Sequence, residues 1–267
     1  MSFLEKEFKT MKAEMLPDVE GVCLVTLNRP KAFNAINDRL LDECLEILTG
    51  IQEDPNIKVF IVTGDDNAFA AGADLKQVYA FNGFQARDYD DKVHRTLFAL
   101  EDNHKPSIAA VRGLALGGGM ELTLGCDMRV VSETATMGLP EINIGIFPGG
   151  GATQRLPRQV SLGLAKELVY MGDFFDGKKA GEYGLANYVV PAEEVMPLAI
   201  KLAKKITRKP PLAIREAKNA LNMSMNTDIK TGCRMEQLGW SLCFSSEDQK
   251  EGMGAFVEKR KAEFKGK

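Results

Sequence analysis

Residues 105–127 read KPSIAAVRGLALGGGMELTLGCD, and the reading of this stretch decides that of the whole chain. Ser107 to Val111 is a short strand-forming run; a glycine-rich turn follows, and a short helix is expected from about Gly118 to Gly125. Three consecutive glycines, Gly117, Gly118 and Gly119, let the backbone approach a ligand with no Cβ in the way. A helix starting there points unpaired N–H groups and the positive end of its dipole at the occupant of the turn. Glu121 follows within one turn, flanked by Met120 and Leu122. Backbone donors beside a carboxylate suit a reaction that builds negative charge on a carbonyl oxygen while a proton moves nearby. The same glycines could also serve only to pack a helix on a sheet, so the stretch must be weighed with its company.

The chain has 267 residues, enough for one large domain or a domain with an appendage. Hydrophobic residues at 45% and charged ones at 27% describe an ordinary globular protein. A net charge of −3 offers no global attraction to nucleic acid or anionic membrane. Five cysteines, odd in number and without a C-x-x-C pair, suit a reducing compartment and argue against a disulfide framework or a zinc site. Two histidines make a histidine-built metal centre improbable. The first residues, MSFLEKEFKTMKAEML, carry no apolar signal core, and no apolar run approaches membrane-spanning length. The expectation is a cytoplasmic protein without metal.

Gly21 to Leu27 reads as a strand, and Asn37 as the N-cap of a helix that Pro55 ends. Lys58 to Thr63 is a buried strand, followed by a loop from Gly64 that ends in Ala70-Ala71-Gly72-Ala73, with Asp74 opening a helix. Phe81 to Asp91 has no clean period and reads as mobile, whereas Val93 to Leu100 is helical. Past the central stretch, Met128 to Ser132 is a strand. Met137 to Leu156 then carries a second carboxylate, Glu141, and a second glycine cluster, Gly149 to Gly151. Helices are expected at 161–171 and 178–184, and Asn187 to Val190 is a last strand. Beyond it the pattern is helical only, over about 193–208, 211–224, 228–245 and 247–264. No sequence repeat or flexible linker is visible, which divides the chain into a core, 1–195, and a helical region, 196–267.

Gly172 to Lys179, GDFFDGKK, approaches a phosphate-cradling loop but has lysine where the magnesium-binding hydroxyl belongs, two repelling aspartates and a helix before it. The run Lys201, Lys204, Lys205, Arg208, Lys209, Arg215 and Lys218 lacks aromatic platforms and reads as a solvated face rather than a nucleic-acid surface. Glu121 and Glu141 stand out. Each lies beside a glycine-rich turn in apolar company, conditions that raise a carboxyl pKa toward the range a proton-transfer catalyst needs.

The stretches AFAAGADLK (68–76), KPSIAAVRGLALGGGMEL (105–122), CDMR (126–129), GLPEINIGIFPGGGATQRL (138–156) and EGMGAFVEKRKAEF (251–264) resemble the crotonase superfamily, and within it enoyl-CoA hydratases most. The resemblance implies an α/β fold, a spiral of ββα units followed by a helical trimerisation region, and a homohexamer built as a dimer of trimers. It implies that the N–H groups of Ala73 and Gly118 form an oxyanion hole and that Ala71, Ala73, Asp74, Leu75 and Lys76 line the path of coenzyme A. Glu121 and Glu141 match the family's catalytic carboxylates, and Gly149 its water-holding N–H. Phe256 and Lys259, at i and i+3 of the final helix, would reach an adjacent subunit's coenzyme A, the ring on adenine and the lysine on a phosphate. Coenzyme A arrives as part of the acyl-CoA thioester substrate, so no separate cofactor is implied. Departures are Leu139, where many relatives have glutamine, and GGGAT in place of GAGGT.

The implied reaction is reversible hydration of a 2-trans-enoyl-CoA. Other readings are a Δ3,Δ2-enoyl-CoA isomerase, which needs only the later glutamate, and an RNA-binding relative using the 201–218 face.

Overall fold

The structure, a computed structural model, describes residues 2–267. Val59–Thr63 (VFIVT) and Ser107–Val111 (SIAAV) are buried at every position. Such runs of β-branched and small residues belong to parallel strands covered on both faces. In chain order the elements are β1 (Met11–Met15), β2 (Val22–Leu27), α1 (Asp38–Glu53), β3 (Val59–Thr63), β4 (Ala68–Ala70), α2 (Leu75–Val78), α3 (Gly83–Glu101), β5 (Ser107–Val111), β6 (Leu114–Leu116) and α4 (Gly118–Gly125). There follow β7 (Met128–Ser132), β8 (Thr136–Gly138), α5 (Ala152–Arg155), α6 (Leu162–Met171), β9 (Phe174–Asp176), α7 (Gly177–Glu182), β10 (Tyr188–Val190), α8 (Val195–Ile206), α9 (Pro211–Ser224), α10 (Ile229–Cys243) and α11 (Glu247–Val257).

The strands form a six-stranded sheet, β1-β2-β3-β5-β7-β10, and a four-stranded one, β4-β6-β8-β9. Successive strand pairs, β3 with β4, β5 with β6 and β7 with β8, send one strand to each sheet before the chain turns helical. This is the repeating ββα spiral. Within it β3, β5 and β7 run parallel, as do β4, β6 and β8. The alternation of side chains divides β3 between two cores. Phe60 and Val62 join the main core under α1, α3 and α4, whereas Val59 and Ile61 face Val195, Ala199 and Ala203 of α8. Helix α8, the first of the helical tail, thus packs directly on the large sheet.

Helices α9 and α10 form a hairpin. Its anchor is Lys218, 8% exposed, whose Nζ donates to Asp127 Oδ2 at 2.9 Å and to the Lys105 carbonyl at 3.3 Å. Lys218 therefore leaves the solvated basic face expected from sequence; Asp127, also bonded to the Ser107 N–H, draws it inward. Helix α10 buries none of its residues, and Ile229, Leu238 and Trp240 are 82%, 65% and 66% exposed.

Other expectations are corrected. Phe81 to Asp91 has a regular structure: 83–91 is the first half of α3, started by a capping box between Asn82 and Gln85. Its period is hidden because 82–88 is exposed on every side. The last helix stops at Val257. Lys259 adopts φ 55°, and the Lys259 and Arg260 N–H groups return to Phe256 and Ala255, a Schellman closure. Phe256 and Lys259 consequently do not share a helical face. Strands β1, β4, β6, β8 and β9 were absent from the sequence reading, and β9 falls inside the rejected phosphate-loop motif. There the Asp176 carboxylate caps α7 by accepting from Lys179 N, occupying the N–H end that a phosphate would use.

Candidate active site

Helix α4 begins where β6 ends, at the edge of the small sheet. Gly119 must be glycine, since a Cβ there would lie 1.9 Å from the Ala70 carbonyl oxygen; its absence lets α4 sit on β4. Arg129 closes the other end, its Nη1 donating to the Thr123 and Cys126 carbonyls. Held at both ends, α4 leaves its first N–H, that of Gly118, without a protein acceptor among the described residues.

A second backbone donor meets it. Gly72, at φ 99°, turns the chain so that Ile36 bridges Ala73: Ile36 N–H donates to Gly72 and Asp74 N–H donates to Ile36, each at 2.8 Å. In a parallel bridge of this kind the N–H of the middle residue, Ala73, points away from the partner. A Cβ built on Gly118 would stand 3.8 Å from the Ala73 nitrogen, so the two donors are neighbours. Among the described residues neither N–H has a protein acceptor.

Glu121, 3% exposed, lies one turn into α4. Its Oε2 accepts from the Gly150 N–H at 3.0 Å and its Oε1 from the Ala152 N–H at 2.9 Å. Burial pushes its pKa up to about 7; the two N–H donors act against that, and the charge of Glu141 adds to it. Glu141 sits on the 3-10 turn Pro140–Ile144 on the far side of Gly117, where a Cβ would lie 2.9 Å from Glu141 Oε1. Burial raises its pKa also, and its Oε2 is buried without a hydrogen-bond partner. Two carboxyls of raised pKa thus flank one helix start that offers unpaired donors.

The structure brings Ala73, Gly118, Glu121 and Glu141 together. The Gly149 N–H has no acceptor among the described residues, and Asp90 Oδ1 lies 2.8 Å from where a Gly149 Cβ would be. Ala71 is half-buried, and Leu75 and Lys76 are exposed at the rim. Asp74 caps α2 and pairs with Arg29 at 2.9 Å, so its carboxylate is engaged. Phe256 and Lys259 lie on and beyond the end of α11, Phe256 being 85% exposed. Sequence reasoning missed Gly150 and Ala152 as the donors to Glu121, and Asp90, His94 and Arg155 around them. The Asp90/His94 spacing of i,i+4 was the available signal, split between the segment read as mobile and the helix read from Val93.

A doubly layered spiral carrying two carboxyls of raised pKa beside free backbone donors suits chemistry on an acyl group, and comparison narrows it. The family model described as enoyl-CoA hydratase/isomerase matches residues 18–267. Crotonyl-CoA hydratase of Syntrophomonas wolfei is 44% identical over 254 residues, covering 94% of this chain and 96% of that protein. The short-chain-enoyl-CoA hydratase of Clostridium acetobutylicum is 42% identical over 246 residues, covering 91% and 93%. The crystal structure of an enoyl-CoA hydratase from Bacillus anthracis superposes with a TM-score of 0.93 at 40% identity, covering 97% of this chain and all of that one. The chain belongs to the enoyl-CoA hydratase/isomerase family.

Proposed function

We propose that the protein is an enoyl-CoA hydratase, a lyase of fatty acid metabolism that reversibly adds water to a 2-trans-enoyl-CoA to give a 3-hydroxyacyl-CoA. The observation that carries this reading is the pair of carboxyls of raised pKa, buried Glu121 and half-buried Glu141, beside the unpaired N–H groups of Ala73 and Gly118. The conjugated thioester is electrophilic at Cβ. As the water oxygen bonds to Cβ, the π electrons move to the thioester oxygen, where the two N–H groups donate to the enolate. One glutamate carboxylate accepts a proton from the water. The other, as the neutral acid, gives its proton to Cα, so that H and OH are both accounted for. A pair repelling each other near neutral pH favours such a one-proton state. Gly149 N–H and Glu121 would hold the water.

The 71–76 segment would take the coenzyme A handle, with Phe256 and Lys259 at a subunit boundary. The exposed apolar face of α10 supports burial against further copies of the chain, as in a dimer of trimers. Five free thiols suit a reducing, cytoplasmic location. The test is to supply purified protein with enoyl-CoA esters of increasing chain length and follow loss of the conjugated-thioester absorbance. No loss with any ester would refute the reading, as would migration of the double bond without gain of water.

A further inference from the structure

We propose that Arg155 is a positioning residue for the Glu121 carboxylate, acting through the backbone of Gly150; the inference rests on the hydratase reading. Arg155 is 9% exposed on α5 and belongs to no step described above. Glu121 is held by N–H groups of two peptide units, those entering Gly150 and Ala152. Between them lies the unit formed by the Gly150 carbonyl and the Gly151 nitrogen. Its carbonyl accepts from Arg155 Nη1 at 3.2 Å, and among the described residues no other donor reaches it. Gly151, at φ 98°, has no side-chain constraint of its own, and a Cβ there would lie 2.2 Å from Arg155 Nη1. The glycine therefore gives up local rigidity and leaves room for the guanidinium, which supplies the constraint instead.

The other end of the fork is fixed. Arg155 Nη2 donates to Glu101 Oε2 at 2.8 Å, at the end of α3, and the guanidinium lies over the Phe98 ring at 5.5 Å from its centroid. A planar fork can bridge a carbonyl and a carboxylate with set geometry, which a flexible ammonium cannot. If the middle peptide unit is released, the flanking N–H groups lose their common aim at Glu121. They stabilise the ionised carboxylate, so their weakening raises the carboxyl pKa further. With Glu121 as the carboxylate that takes the proton of the water, the acid limb of the rate profile should then move to higher pH. The groups around Glu121 are Glu141, Asp90, His94 and Tyr89, with Glu101 and Arg155 behind the glycine turn.

The experiment measures kcat and KM for crotonyl-CoA across pH in Arg155→Met, Arg155→Lys and Glu101→Ala. In Arg155→Met kcat should fall about tenfold with KM within about twofold, because the substrate's handle is untouched. Its acid limb should rise by about half a pH unit or more. Arg155→Lys, which keeps the charge without the fork, should resemble Arg155→Met, and Glu101→Ala should move the limb the same way by less. An unmoved acid limb in the folded variants would overturn the proposal, as would full rescue by lysine, which would reduce the effect to charge. If Arg155→Met does not fold, Glu101→Ala decides, its carboxylate being 35% exposed. A wild type inactive on every enoyl-CoA would refute the hydratase reading instead. NMR titration of labelled glutamate, assigned with Glu121→Gln, then tests Arg155 alone: an unchanged Glu121 pKa in the variants refutes the positioning role.

Discussion

Glu121→Gln separates the catalytic and the thermodynamic consequences of a buried carboxyl. The wild-type group titrates in the fold near 7 instead of the ordinary 4.5, chiefly because burial penalises its charge. A folded-state pKa above the unfolded one means that the fold binds the extra proton between these values. Stability from this group is therefore fully present at low pH and is lost as pH rises toward 7, by about 3 kcal/mol at roughly 1.4 kcal/mol per pH unit. Glutamine has no such titration. Its amide oxygen can keep one of the two N–H bonds, but its NH2 must face the other donor, at a cost of about 1–3 kcal/mol at all pH values. The variant should thus be less stable than wild type at pH 5 and gain on it by about 3 kcal/mol by pH 8. Urea unfolding of both proteins at equal concentration across that range measures the difference, in which titrating groups remote from Glu121 cancel and only those coupled to it, Glu141 and Asp90, contribute beside it. At pH 8 the folded variant should lose about 10²–10⁴ in kcat. A stability difference independent of pH would refute the raised pKa, and retention of more than about a tenth of kcat would refute the acid/base role.

Ala73→Pro removes one of the two unpaired donors without breaking any hydrogen bond within the protein, and should lower kcat by about 10²–10³; normal turnover in the folded variant would eliminate that donor. Lys218→Met should destabilise the protein by about 3 kcal/mol in urea unfolding, because Asp127 is left without its buried partner, while kcat in the protein that remains folded stays unchanged. Leu238→Glu with Trp240→Glu on α10 should shift the sedimentation profile toward smaller species, whereas a wild type already monomeric at micromolar concentration would contradict assembly through this face. Lys259→Glu should raise KM for a full acyl-CoA, with kcat nearly constant and the effect shrinking as salt is added; no change in KM would leave the chain end without a role in binding.

The elements legible in the sequence were those whose burial is written in a local period. Leu40, Leu41, Cys44, Leu48 and Ile51 mark α1 by their spacing and are all buried, although the spacing suggested Leu45 where the fold buries Ile47, and the runs at 59–63 and 107–111 announce strands. The small sheet was not legible. Its strands β4, β6, β8 and β9 are three residues each, too short for a period to show, and their sequences, such as AFA and LAL, would pass for turn flanks. Similarly, α3 begins with a turn exposed all round, where only the Asn82/Gln85 cap signals a helix. The glutamates and the glycine turns could be read from the chain because their chemistry is local. That Gly150 and Ala152 hold Glu121 depends on the turn before α5 meeting α4, which no spacing encodes.

The same backbone chemistry is used in opposite ways a few ångströms apart. At Glu121 a buried charge is matched by two N–H donors, and still burial wins, leaving the carboxyl poised near neutrality instead of fully ionised. At Ala73 and Gly118 two donors remain unmatched, although matching them would stabilise the fold. On the proposed reading, a substrate oxygen meets the two N–H groups and the proton changes hands at the carboxyl. Rigid supports must hold such a frustrated site open. The close contact of Gly119 with Ala70, the Ile36–Ala73 bridge and the Arg155–Glu101 clasp hold α4, the Ala73 loop and the Gly150 turn respectively. Loosening any one should therefore cost activity before it costs the fold, since the spiral's two cores lie beneath the site and do not depend on its unpaired groups.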